Sequence, residues 1–187
     1  MSEKRLLSLC RKACWSKLPL SNVQQWLNQN EDNQDLLKKA ANYQDEWNNT
    51  YLHYLVETKP PADLVVSLLN LSLDKIKVKD RCLKLPLHRA CDHDASLDVI
   101  KVLIEAYPEA AQVQNISGKL PLHYACMKNA SHFVIQMLVE AYPAGAQVQD
   151  KNGDLPIHNA LHKAFEKGRA TKDIITVLLE LYPNAVN

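Results

Sequence analysis

Apolar positions along this chain fall into blocks that return at a fixed interval. Leu87, Ala90 and Cys91 are spaced along one face of a helix, and Leu122, Ala125 and Cys126 repeat them. The blocks read Leu83-Lys-Leu-Pro-Leu-His-Arg-Ala-Cys91, Gly118-Lys-Leu-Pro-Leu-His-Tyr-Ala-Cys126 and Gly153-Asp-Leu-Pro-Ile-His-Asn-Ala-Leu161. A weaker copy is Asn48-Asn-Thr-Tyr-Leu-His-Tyr-Leu-Val56. His53, His88, His123 and His158 mark the register, since 88 − 53, 123 − 88 and 158 − 123 all give 35. A period of that size is the signature of a stacked array of small units.

Each block predicts a turn and then a helix. Gly118 and Gly153 provide the backbone freedom a tight turn needs. Leu85, Leu120 and Leu155 precede prolines and are pushed toward extended geometry. Pro86, Pro121 and Pro156 then suit a first helical position, where a missing N–H is no loss. A second helix follows within 96–108, 131–143 and 171–183. Ser96, Ser131 and Thr171 are predicted N-caps, and Asp98 and Asp173 lie in the first turn. Val99, Ile100, Leu103 and Ile104 form its buried stripe, and Pro108 ends it.

The turn followed by Leu-Pro-Leu-His-x-Ala resembles the Thr-Pro-Leu-His-x-Ala signature of ankyrin repeats, whose usual period is about 33. The resemblance covers roughly residues 46–187. It implies an all-α solenoid of four stacked turn–helix–helix units, 46–80, 81–115, 116–150 and 151–187. The two extra residues are placed in the helix-exit loop, at Tyr-Pro-Glu-Ala-Ala or Tyr-Pro-Ala-Gly-Ala. The resemblance also implies that His53, His88, His123 and His158 bond to backbone across neighbouring turns. Leu85, Leu120 and Leu155 replace the family's threonine, so they forgo a hydroxyl cap worth about 1 kcal/mol each. The turns must therefore be held differently.

Residues 1–45 read as a degenerate N-terminal capping repeat and connection. Helices are expected over 6–15, over 21–27 behind Ser21, and as a short piece over 35–40. In the first full unit the second helix is expected near Ala62–Leu71. The last unit carries an insertion around Ala164–Gly168, because Tyr142 to Tyr182 spans 40 where Tyr107 to Tyr142 spans 35. Ile174, Ile175, Val177, Leu178 and Leu179 predict an exposed apolar patch at the C-terminal end. That end would contact a further unit of a longer array or a neighbour in an assembly.

Composition narrows the function. The 187 residues carry 22 basic and 21 acidic side chains, a formal net charge of +1. That balance argues against a dedicated nucleic-acid binder or a membrane-surface protein. No apolar run approaches the roughly 20 residues that span a bilayer, and the N-terminus has too short an apolar segment for a secretory signal. Five cysteines, an odd number, fit free thiols in a reducing compartment, hence cytoplasm or nucleus.

The pattern offers little chemistry. His88 with Cys91 and His123 with Cys126 sit one turn apart, a possible ligand spacing. The cysteine position becomes Val56 and Leu161 elsewhere, however, so packing is the better reading and no metal is expected. No nucleophile motif, phosphate loop or dinucleotide fingerprint occurs, so neither a catalytic residue nor a cofactor is assigned. Glu105, Glu140 and Glu180 recur as a solvated face; His93, His132 and His162 read as surface residues.

What does not repeat is the inner face of the first helices and the turn tips, which in ankyrin arrays bind partner proteins. By register, the partner-binding candidates are Trp47, Asn49, Arg81, Lys84, Asp92, Lys119, Met127, Lys128, Lys151 and Asp154. Trp47 and Arg81 are the chosen anchors, because tryptophan and arginine dominate interface hot spots. The alternatives are that Trp47 packs beneath the incoming connection and that the lysines are merely solvated. The basic middle of the face implies an acidic or mixed-charge protein partner. The competing role is architectural, through the C-terminal end.

Overall fold

The computed structural model describes residues 4–16, 19–167 and Thr176, with backbone alone over 163–167. Among the described residues there are ten α-helices and no strand. These are α1 (Arg5–Ser16), α2 (Ser21–Gln29), α3 (Gln34–Asn42), α4 (Tyr51–Glu57) and α5 (Ala62–Leu69). They continue with α6 (Pro86–Asp92), α7 (Leu97–Ala106), α8 (Pro121–Lys128), α9 (His132–Ala141) and α10 (Pro156–Lys167).

The helices form two columns. Helices α1, α4, α6, α8 and α10 pack in succession as an inner column, and α5, α7 and α9 stack behind them. One continuous core runs between the columns. Leu52, Leu55, Leu87, Leu122 and Ile157 contribute from the inner helices, and Leu68, Leu103 and Leu138 from the outer ones. No short helix of this kind could bury its apolar face alone, so stacking supplies the stability.

Cys91 and Cys126 are free and buried in this core, and burial pushes both thiols up from their ordinary value. They behave as small apolar side chains. The extra residues of each unit form a 3₁₀ turn at Leu73–Lys77, Pro108–Gln112 and Pro143–Gln147. Ala110, Ala111, Gly145 and Ala146 are tucked inward there.

Four local expectations are corrected. Ser96 does cap α7 by accepting from the Val99 N–H, but Ser131 makes no such bond at α9. The N-cap position of α2 is Leu20 rather than Ser21, and nothing caps it from a side chain. Helix α5 stops at Leu69, two residues short of Leu71, because the chain turns immediately into the 3₁₀ segment. The expected short helix near 35–40 is the longer α3, capped by Asn33 on the Leu36 N–H at 3.0 Å. The expected Thr171 cap, the helix over 171–183 and the C-terminal apolar patch lie outside the described residues, as does the end of the insertion.

Candidate partner-binding surface

The turns are held by a side chain that the repeat pattern did not single out. Asp45, Asp80, Asn115 and Asp150 stand 35 apart, each just ahead of its turn. The Oδ1 of each accepts the backbone N–H two and four residues on. For Asp80 these are Cys82 at 2.8 Å and Lys84 at 2.9 Å; for Asn115 they are Ser117 and Lys119, both at 2.9 Å. Asp45 and Asp150 repeat the arrangement. These bonds hold each turn from within, whether or not a threonine follows it.

Successive turns are stitched together. The N–H of Arg81 donates to the Trp47 carbonyl at 3.1 Å, that of Ile116 to Cys82 at 2.9 Å, and that of Lys151 to Ser117 at 3.0 Å. The histidines add a second seam. Nδ1 of His53, His88 and His123 accepts the N–H of Thr50, Leu85 and Leu120, each at 3.1 Å. With Nδ1 accepting, the proton sits on Nε2. That atom donates to the carbonyl of Lys84, Lys119 and Asp154 in the following unit, at 3.1, 3.2 and 3.2 Å. The implied cross-turn bonding is therefore present. His158 repeats the Nδ1 half, at 3.2 Å from the Leu155 nitrogen. Burial is the main cause that pushes His53, His88 and His123 down to about 4.

The third residue of every tip is left-handed: Asn48 at φ 61°, Leu83 at 57°, Gly118 at 74° and Gly153 at 84°. Leucine is strained there, by roughly 1–2 kcal/mol, and its side chain is exposed. Leu83→Gly is therefore expected to be neutral to stabilising by up to about 1 kcal/mol, once the looser unfolded chain is counted. Gly118→Ala runs the other way. Its Cβ would lie 2.9 Å from the Lys151 nitrogen, a backbone atom engaged in the stitch between turns. Urea titration of both variants checks the pair; a destabilised Leu83→Gly would show that the leucine side chain holds the tip.

The candidate residues divide into two groups. Trp47 is 50 % exposed and lies against the Arg81 guanidinium, whose carbon is 4.9 Å from the ring centroid. Trp47 therefore does not pack beneath the connection. Lys128 and Lys151 are also exposed, and Asp154 and Met127 are half-buried. The rest are committed internally. Asn49 is buried, giving its amide N–H to Asp45 and Tyr54 and its oxygen to Arg89. Lys84 pairs with Asp92 at 3.0 Å and caps the Tyr124 ring, while Asp92 takes Lys128 at 3.2 Å as well. Lys119 pairs with the fully buried Asp150 carboxylate at 2.5 Å. The basic middle of the face is thus largely neutralised by its own scaffold.

Residues the sequence reading passed over complete the surface. Trp15 on α1 is 64 % exposed and meets the Tyr54 ring edge-on at 5.9 Å. Trp15, Trp47, Tyr54, Arg81, Cys82 and Arg89 line a groove of about 300 Å³. Arg89 forms its floor, held by Glu57, by Asp80 at 2.6 Å and by Asn49 at 2.9 Å. Arg89 occupies the variable slot of Leu-Pro-Leu-His-x-Ala, where Tyr54, Tyr124 and Asn159 also stand, so nothing in the motif marked it.

A family model for three copies of the ankyrin repeat matches residues 87–187, more than half of the chain. The chain belongs to the ankyrin-repeat family. No curated protein matches it. Ankyrin repeats are generally protein–protein interaction modules and typically non-enzymatic. No helix among the described residues is long and apolar enough to cross a membrane.

Proposed function

We propose that this ankyrin-repeat protein binds a partner protein through the inner face and turn tips at the early end of the array. The observation that carries this is the exposed Trp47–Arg81 stack at the rim of the aromatic groove. An indole half in water loses favourable burial unless something covers it, and such aromatic–arginine pairs are the usual interface anchors. Lys151 extends the rim with exposed positive charge, which favours an acidic partner, whereas Lys128 is shared with Asp92. Lys84 and Lys119 serve the scaffold instead.

The test is affinity capture with the wild type and a Trp47→Ala/Arg81→Glu/Lys151→Glu variant, with folding confirmed by circular dichroism. Lys119 is left untouched, because reversing it would orphan the buried Asp150 and confuse folding with binding. A partner lost only by the triple variant supports the reading. One retained equally by both overturns it and moves attention to the C-terminal end.

A further inference from the structure

We propose that α1 is part of the binding site rather than only a cap, and that the site takes an acidic linear peptide of the partner across two arginine-on-tryptophan clamps. This rests on the proposed function above and names the chemistry of its ligand.

The groove beside Trp47 does not end at Trp15. A second groove, of about 450 Å³, lies on the other side of that indole, between α1 and the segment entering the first full unit. Trp15 lines both, so the two grooves adjoin at its side chain, one toward the turn tips and one along α1. The Arg11 guanidinium carbon sits 5.0 Å from the Trp15 ring centroid, as Arg81 sits 4.9 Å from that of Trp47. The same pair is therefore presented twice, once on each side.

Stacking suits a guanidinium to a further task. Held over an indole, the group keeps N–H donors that can grip a carboxylate through two parallel bonds. Among the described residues neither Arg11 nor Arg81 has an ion-pair partner, unlike Arg89, Lys84 and Lys119. Lys4 and Lys12 add positive charge along α1. Of the three acids lining the grooves, Asp45 is already engaged by the Tyr54 hydroxyl at 2.7 Å, by the Asn49 amide and by the turn N–H groups, and Asp80 by Arg89 and its own turn. Among the described lining residues, Glu46 is the one acid left to oppose the field. The adjoining grooves therefore carry aromatic walls and a cationic group each, which fits an extended chain with carboxylates spaced along it.

The test uses three fluorescein-labelled peptides of equal length: poly-glutamate, poly-lysine and a neutral Gly-Ser repeat. Anisotropy and quenching of intrinsic tryptophan fluorescence both report binding to the full chain. Poly-glutamate is expected to bind and the others not. Arg11→Gln and Arg81→Gln are each expected to weaken it by about tenfold or more, as the loss of a charged hydrogen-bonding group implies. Lys101→Gln, which removes an equal charge from the exposed Lys101–Glu105 pair on α7, should leave it unchanged. Equal weakening by Lys101→Gln, or no preference for poly-glutamate, would overturn the inference. If Arg11→Gln has no effect while the Trp47/Arg81/Lys151 variant still loses its partner, α1 drops out and the proposed function stands. If that variant also keeps its partner, both fall.

Discussion

Acidification from pH 7 to pH 4 is expected to unfold the array before its carboxylates titrate. His53, His88 and His123 are fully buried and pushed down to about 4, whereas an unfolded chain protonates histidine near 6.5. Burial disfavours the charged ring in each. Geometry adds a second reason: Nδ1 accepts a backbone N–H, so protonating it breaks the cap and sets two donors against each other. The sign follows from the depressed value. Above about 6.5 both states are neutral and the full stability is present. Between 6.5 and 4 the unfolded state takes up protons that the folded state refuses, so stability falls as pH falls. Below about 4 the folded state also protonates and this contribution levels off.

Each histidine is worth about 3 kcal/mol at the full shift. Three together rival the 5–15 kcal/mol that stabilise a typical domain. Asp45, Asp92 and Asp150 also sit below the ordinary carboxylate range: burial opposes this, but their hydrogen bonds and ion pairs outweigh it. Their loss acts in the same direction in a lower window. Urea titrations at half-unit pH steps would separate the two. A midpoint between about 6 and 4 that moves down in His123→Gln supports the histidine seam; a protein fully stable until the carboxylates protonate would refute it.

Those same histidines were the most legible feature of the sequence. A period kept over four copies, with proline two residues before three of the four histidines, reports a backbone constraint that admits few solutions. Helix positions and the cysteines' burial followed from it. The turn chemistry was hidden because Asp45, Asp80, Asn115 and Asp150 lie outside the motif and resemble ordinary polar loop residues. Only their common spacing distinguishes them. The site was less legible still. Trp47 and Arg81 could be placed at the tips by register, and their stack puts them together. Lys84 and Lys119 were placed on the face by the same register, yet both are half-buried and each reaches to a carboxylate, a contact that no local pattern encodes. Trp15 was missed because α1 was read only as part of a capping repeat, and its neighbour Tyr54 belongs to another helix.

Arg89→Met is expected to destabilise the protein by about 3–5 kcal/mol, far more than any exposed charge. Its guanidinium joins three elements. It binds Glu57 at the end of α4, Asp80 through both Nη2 at 2.6 Å and Nε at 3.2 Å, and Asn49 of the preceding turn at 2.9 Å. The Arg89 side chain is 22 % exposed, but those of Glu57 and Asp80 are only 6 % and 3 % exposed. Burial works against the charge on Arg89, and the bonds to Glu57 and Asp80 more than offset it, holding the group firmly protonated. Removing it leaves two carboxylates buried without a cation. The cost is therefore mainly that of the orphans, and it predicts a rescue. Arg89→Tyr should recover part of the loss, because Tyr54 already donates to Asp45 across the same nine-residue spacing. Adding Glu57→Met should recover more, by removing the buried carboxylate that would then keep only the Cys14 thiol at 3.0 Å and the more distant His93. Asp80 cannot be spared in the same way, since its other oxygen holds the turn. Denaturant titration of the single and double variants measures the coupling directly. If Arg89→Met costs under 1 kcal/mol, the cluster is no stronger than a surface ion pair, and the inner face is not built on it.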